Sequence, residues 1–360
     1  MIAEVVYAVE TAPPPGTVAE LAPGLFWACM PLPFQLNHVN LWLLQDNDGW
    51  SVVDAGCDTP AIRMAWEDLL AGPMGGQPLN RLIATHGHVD HIGLAGWLCR
   101  RFGATYVGTF AEWIWARLGH MHDVPEAERA HLHFLLRHGL TEDDAEVMSS
   151  GRGRFMDLAT DLPGSIHEIR DGQEIRFGGR DWQVIVTRGH AYEHASFYCS
   201  TDNILIAGDH LLPRISPVIA VFEMVPEADP LADYLASFDQ FLDIADDVLV
   251  LPSHGLPYRG LHRRIGELRA HHASRLDATM KLVVQPRTAI DIAGALFPHV
   301  KGSENAAFAL SETLAHLNLL VNNGQVIERQ DGGGRSTFVA ACNGIPTIGP
   351  ICTVRPPLMP

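Results

Sequence analysis

Six consecutive residues constrain this chain more than any other feature. His86-Gly-His-Val-Asp-His91 follows directly on a short apolar strand signal, Arg81-Leu-Ile-Ala-Thr85, and leads into a helical pattern over 93–102. On a tight loop, the HxHxDH spacing turns side chains toward two neighbouring points, so two metal ions can sit side by side. Imidazole nitrogens with one carboxylate suit a borderline divalent ion, and the lack of a matching thiolate favours Zn, Mn or Fe(II) in a hydrolytic site. The bland alternative is a solvated turn that happens to hold three histidines, an order that neither core packing nor surface solvation favours.

Three further residues stand where strands are expected to end: His190 after 184–187, Asp209 after 205–208 and His254 after 249–252. Singly each is weak, since a strand-end histidine is often a surface or capping residue and Gly208-Asp209 can be a plain turn. Jointly they matter, because residues at the ends of adjacent strands converge on one edge of a sheet.

Around them the pattern alternates strand and helix. A hairpin is expected over 36–56 with a type I′ turn at Asp48-Gly49, then a helix at about 60–72 and a strand from Tyr106. A largely helical stretch at about 110–160, with Thr141 as an N-cap, reads as an insertion. After an Asp171-Gly172 turn, strands are expected at 182–187, 195–199 and 203–207, a helix at 230–245 and a buried strand at 248–251. Beyond residue 260 the chain reads as helices at about 261–283, from Thr288, and at about 303–323 closed by Gly324, then a hairpin of 325–329 and 336–340. Three helices and a β-ribbon resemble a winged helix. The expected division is a catalytic domain over 1–260, a winged-helix-like domain over 261–345 and an extended tail over 346–360.

At 360 residues, 47% of them hydrophobic, the chain can bury a large core. Its formal charge of −17 repels phosphate backbones and argues against a dedicated nucleic-acid binder. The segment from Leu261 onward is mildly basic, with ten Lys or Arg against seven Asp or Glu, yet 303–323 carry neither Lys nor Arg, which argues against major-groove reading. Apolar residues there, Phe308, Leu310, Leu314, Leu317 and Leu320, suit packing against the catalytic domain or a second subunit. Six scattered cysteines without a CxxC pair read as buried thiols of a reducing compartment. With no basic leader and no apolar run of membrane length, a cytoplasmic location without a membrane partner is expected.

In this order, the histidines and aspartates resemble the metallo-β-lactamase superfamily, and more closely its glyoxalase II-like hydrolases with a C-terminal winged-helix-like domain. The resemblance covers nearly the whole chain. It implies an α/β fold, the αββα sandwich of two sheets flanked by helices, with a two-metal site on one edge. By the same resemblance His86, His88 and His190 bind one metal, Asp90, His91 and His254 the other, and Asp209 bridges them. Asp54, after the buried strand 51–53, stands where the family has an acid that orients a ligand by accepting its hydrogen bond, although a strand-end turn acid reads equally well. His194 stands where relatives carry a second, non-ligating histidine, whose expected role is core hydrogen bonding. Asn37, His38 and Asn40 read as a polar rim or as plain loop.

Two divalent ions, balanced by Asp90, Asp209 and a bridging hydroxide, keep about one net positive charge, lower the pKa of bound water toward about 7 and polarise a carbonyl. The expected cofactors are therefore two divalent metal ions, Zn(II) first, with Mn or Fe as alternatives. Asp90 and Asp209 are the candidate catalytic carboxylates; both are ligands first, and Asp90 is also a candidate to orient water or pass its proton. Trp113 and Trp115 are candidate pocket residues of a lid formed by the insertion, against a reading as core packing. His120, His122, His131 and His133 share that insertion, and His131 and His133 face different ways on a helix, which argues against a third metal. Arg214 is the candidate partner for a substrate carboxylate or phosphate, with a structural salt bridge equally open.

The reading is a binuclear hydrolase of a small-molecule thioester, ester or lactone, since a bridging Asp209 resembles the glyoxalase II-like branch, whereas a Cys would suggest a β-lactamase. The alternatives are an endoribonuclease, because winged-helix relatives with this motif include RNA-cutting members, and a non-catalytic metabolite-binding regulator. The acidic charge counts against the first and the complete ligand set against the second. Glyoxalase II activity itself does not fit, because a different domain replaces the region that supplies its glutathione-binding basic residues. A homodimer is the remaining partner expected.

Overall fold

Strands that are apolar at every position must be covered on both faces. The computed structural model describes residues 5–34, 36–119, 125–149, 156–300 and 302–341. Its strands in chain order are β1 (Val6–Tyr7), β2 (Ala19–Ala22), β3 (Leu25–Pro31), β4 (His38–Asp46), β5 (Gly49–Val53), β6 (Leu79–Ile83), β7 (Thr105–Gly108) and β8 (His167–Glu168). There follow β9 (Glu174–Phe177), β10 (Arg180–Thr187), β11 (His194–Cys199), β12 (Ile204–Gly208), β13 (Leu249–Pro252), β14 (Tyr258–Arg259), β15 (Val326–Gln330) and β16 (Ser336–Ala340). The helices are α1 (Pro60–Ala71), α2 (Val89–Ile92), α3 (Ala95–Phe102), α4 (Phe110–Gly119), α5 (Pro125–Arg137), α6 (Glu142–Ser149), α7 (Pro230–Ser237), α8 (Leu261–Leu282), α9 (Ala289–Leu296) and α10 (Ser303–Asn322). Among the described residues β2 to β8 form one sheet in sequence order, and β1-β14-β13-β12-β11-β10-β9 form a second.

Alternation along the strands sorts side chains into layers. From β3 and β4, Leu25, Trp27, Trp42 and Leu44 meet Trp182, Phe197, Ile206 and Leu251 of the second sheet in a core between the two sheets. The intervening Ala28, Met30, Leu41 and Leu43 face the opposite way, onto Ile62, Trp66 and Leu69 of α1 and Leu98 of α3. In the second sheet Leu205 and Val250 alternate outward, onto Phe238, Ile265, Leu314 and Leu317. Helices therefore cover both outer faces, in the mixed α/β arrangement expected. The core crosses residue 260 without a break, as Leu261, Ile265, Leu310 and Leu320 share one cluster with Leu205 and Val250. The apolar residues Leu310, Leu314, Leu317 and Leu320 of α10 pack there as expected, while Phe308 stays exposed.

Several boundaries differ from the sequence expectation. The first hairpin turns at Asn47-Asp48, with Asp46 paired to Gly49, and neither turn residue has a positive φ, so it is not a type I′ turn. Gly49 instead opens β5 where a Cβ would stand 2.5 Å from the Pro78 carbonyl oxygen, so close approach of the neighbouring chain explains that glycine. The helix expected over 93–102 is preceded by the short α2, and that over 230–245 ends at Ser237 and continues as a 3-10 turn to Phe241. Thr141 does cap α6, accepting from the Asp144 N–H at 3.2 Å. Cys29, Cys57, Cys99 and Cys199 are buried free thiols. Cys342, Cys352, His120, His122 and the tail over 346–360 lie outside the described residues. Among the described residues no helix is long and apolar enough to cross a membrane.

Candidate metal centre

Parallel pairing sets the site. Because β12 and β13 run parallel, the chain leaves both at one edge, with Asp209 just beyond one strand and His254 just beyond the other. Because β5 and β6 run parallel, Asp54 and Thr85 lie side by side, and the Thr85 N–H donates to Asp54 Oδ1 at 2.8 Å. The Ala195 N–H donates to the Thr85 carbonyl at 2.7 Å and joins the two sheets at this edge. His86, His88, Asp90, His91, His190, Asp209 and His254 all meet there.

Their ligand atoms fall into three overlapping groups, each within 4.8 Å: His86, His88 and His190; His86, His91 and Asp209; and Asp90, His91 and His254. In the first, His86 Nε2 stands 2.8 Å from His88 Nδ1 and 3.2 Å from His190 Nε2. In the others, Asp209 Oδ1 is 3.5 Å from His91 Nε2 and 3.3 Å from His254 Nε2, its Oδ2 is 3.4 Å from His190 Nε2, and Asp90 Oδ2 is 3.4 Å from His254 Nε2. Asp209 thus spans both halves.

The rings are held from behind. His91 Nδ1 donates to Asp54 Oδ2 at 2.8 Å, His190 Nδ1 to the Val218 carbonyl at 2.8 Å, and His254 Nδ1 to the His38 carbonyl at 2.7 Å. Each bond engages Nδ1 and leaves Nε2 facing the centre. Buried His91 Nε2, His254 Nε2 and Asp209 Oδ1 have no hydrogen-bond partner. Buried polar atoms left so are costly, and three converging on one point, all nitrogen or oxygen donors, fit divalent cations.

Electrostatics divide the site. Burial, reinforced by the surrounding rings, drives His86 well below the usual imidazole range, and burial with His190 takes His88 to about 3. Burial opposes charge on His254 too, but Asp209 and Asp90 outweigh it and raise the ring to about 10. Against the same burial, His91 and His254 draw Asp90 down to about 2. On one side His86 and His88 are held neutral; on the other, carboxylates demand positive charge.

Asp54 is fully buried, and its carboxylate accepts from the His91 ring. His194 is buried and accepts from the Asp209 N–H through Nε2 at 3.1 Å, so it holds the Asp209 turn from below. Gly208 makes this possible: its φ is +54°, and a Cβ there would stand 2.3 Å from His194 Nε2. Asn40 is fully buried, and His38 is half-buried beside His254. Asn40 Nδ2 donates to the Pro252 and Gly255 carbonyls, both at 2.7 Å, and His38 Nε2 accepts from the Gly255 N–H at 2.9 Å, so both fasten the His254 loop.

A cleft opens beside His88 and His190, walled by Trp115, Phe222, Val225 and Ala220, with Arg188, Tyr192 and Asp233 also lining it. Trp115 lies edge-on to His88 at 5.6 Å between ring centres. Trp113, two residues earlier, does not line it; its indole N–H donates to the Pro163 carbonyl at 3.0 Å, and it packs against the first sheet's helical layer. Arg214 is exposed and outside the cleft lining, where Arg188 stands 3.6 Å from Asp233. His131 lies 3.3 Å from Glu223, and neither it nor His133 belongs to a metal-holding group among the described residues. Sequence reasoning missed Thr85, Arg188, Phe222 and Glu112, none of which sits in a motif. It also missed His210, which burial takes to about 3 and which is clasped by the Ser237 hydroxyl at 2.9 Å; its only signal was adjacency to Asp209.

A family model described as the metallo-beta-lactamase superfamily matches residues 35–254, and one described as a metallo-beta-lactamase-like C-terminal domain matches 276–341. A "probable metallo-hydrolase YqjP" of Bacillus subtilis (strain 168) is 26% identical over 317 residues, covering 81% of this chain and 90% of that protein. A beta-lactamase domain protein from Burkholderia ambifaria is 37% identical with a TM-score of 0.85, over 94% of this chain and 97% of that one. A metallo-beta-lactamase family protein from Thermus thermophilus is 33% identical with a TM-score of 0.76, over 89% of this chain and 100% of that one.

Proposed function

The chain belongs to the metallo-beta-lactamase superfamily, and from that premise we propose that this hydrolase is binuclear and acts on a small-molecule thioester, ester or lactone. The observation that carries the reading is the convergence of His91 Nε2, His254 Nε2 and Asp209 Oδ1, buried and without hydrogen-bond partners, where the group of His86, His91 and Asp209 links the His86, His88 and His190 group to the Asp90, His91 and His254 group. His86, His88 and His190 hold one divalent metal, Asp90, His91 and His254 the other, and Asp209 bridges. A donor set of nitrogen and carboxylate oxygen without thiolate suits Zn(II) first, then Mn or Fe. Bound there, the metals supply Lewis acidity that polarises a substrate carbonyl and lowers the pKa of water toward about 7.

The chain's own residues do the rest. Asp90, a ligand first, is also the carboxylate placed to orient the attacking water and to pass its proton to the leaving group. Trp115, Phe222 and Val225 receive the apolar part of the substrate and exclude water from its carbonyl. The phosphodiester alternative has no support in this cleft: Arg188 is its one Lys or Arg among the described residues, and Asp233 stands beside it.

The test is thiol release from a panel of S-acyl-CoA and S-acyl-glutathione substrates by metal-loaded protein, with ester and lactone hydrolysis measured in parallel and an Asp209→Asn control. Turnover that the substitution abolishes, with two metals per chain, is expected. A chain that holds one metal, or that holds two and cleaves RNA but none of these acyl substrates, overturns the reading.

A further inference from the structure

Glu112 lies far from the histidine motif in sequence and is 3% exposed at the start of α4. Its carboxylate makes two bonds to two different loops. Oε2 accepts from the N–H of Gly87, the residue between His86 and His88, at 2.8 Å, and Oε1 accepts from the N–H of Glu193, in the loop that carries His190, at 2.9 Å. The second loop answers in kind. Glu193 Oε2 accepts from the Ala111 N–H at 3.1 Å, and the Thr109 hydroxyl donates to the Glu193 carbonyl at 2.8 Å. Gly87 permits this approach, because a Cβ there would stand 2.9 Å from the Glu112 carbonyl oxygen and 3.3 Å from the Trp115 ring.

We propose that Glu112 is a positioning residue: it clamps the two loops that carry His86, His88 and His190, sets the spacing of that three-histidine group, and ties it to the helix that supplies Trp115 to the cleft. The inference rests on the metal reading above and deepens it. The chemistry is specific to a carboxylate, since two backbone N–H groups converge on it and only an acceptor at both ends serves both. A glutamine presents one acceptor, and its NH2 confronts the N–H of the other loop. The Asp90, His91 and His254 group is held instead by Asp54 and by the His38 carbonyl, so the clamp acts on one half of the site.

The experiment titrates metal-free wild type and Glu112→Gln with Zn(II) against a chromophoric chelator, and with Co(II) while following its visible ligand-field bands. Circular dichroism and the thermal midpoint control for folding. In the variant one equivalent is expected to weaken by about 10- to 100-fold with altered Co(II) bands, while the other keeps its affinity. Identical affinities and bands in a wild type that binds two metals overturn the clamp and leave the metal reading standing. A wild type that binds no metal overturns both. Should Glu112→Gln not fold, Glu193→Ala, which removes the half-buried reciprocal carboxylate, carries the test, with weakening of the same equivalent expected and unchanged binding overturning the clamp.

Discussion

Asp54 stands directly behind His91: its Oδ2 accepts from Nδ1 at 2.8 Å, and both side chains are closed to solvent. The same carboxylate accepts the Thr85 N–H and hydroxyl, so the strand end that precedes the histidine loop and the ring itself share one anchor. Asp54 has a φ of +65°, a conformation that asparagine tolerates better than alanine. Asp54→Asn therefore keeps the backbone while losing part of the anchor. Metal affinity is expected to fall about 10- to 100-fold, read by chelator competition; full affinity would remove Asp54 from the machinery.

The Gly208 turn has no room for a side chain. Gly208→Ala is expected to cost about 2 kcal/mol or more, from a left-handed backbone and the collision with His194, and to lower metal occupancy by displacing Asp209. Denaturant unfolding and metal analysis of the purified variant check the two effects together.

Trp113 and Trp115 separate by role. Trp115→Ala, like Phe222→Ala, is expected to raise KM about tenfold for substrates with apolar acyl groups at unchanged metal content. Trp113→Ala should leave KM unchanged and cost about 2 kcal/mol of stability, through the lost bond to Pro163 and lost packing. A KM effect at Trp113 would contradict the cleft described.

Glu312 of α10 supplies a pH signature away from the site. Burial pushes its carboxyl up to about 7, with Arg275 opposing weakly. Protonated when folded and ionised when unfolded, it costs stability as pH rises from about 4.5 to about 7, and the full cost, up to about 3 kcal/mol, persists above that window. Glu312→Gln should gain most of that amount at pH 8 and little at pH 4.5. Denaturation midpoints at the two pH values decide it, and an equal gain at both would exclude burial of the charge as the cause.

The histidine cluster was legible in the sequence because its chemistry is local: His86 to His91 need only their spacing and a preceding strand to make candidate metal donors. His190, Asp209 and His254 were legible as polar residues where apolar strands stop. The short apolar runs of β12 and β13 carried the layered fold in the same way, since a strand apolar at every position must be covered on both faces. The turn expected at Asp48-Gly49 but found at Asn47-Asp48 shows the limit, because Gly49 answers to the close approach of Pro78, just ahead of β6, rather than to its own turn.

What tertiary structure alone decided lies across such distances. Glu112 reads in sequence as one more acid on a helix, and only packing puts it against Gly87, 25 residues away, and Glu193, 81 residues away. Trp113 and Trp115 carry the same side chain two residues apart and both pack partly buried against the first sheet's helical layer, yet only Trp115 also reaches the cleft. The continuous core over residue 260 likewise depends on which surface the last helices cover. Side-chain identity and spacing specify what a loop can bind; which distant loop stands opposite, and which carboxylate holds the two together, follows from how the whole chain packs.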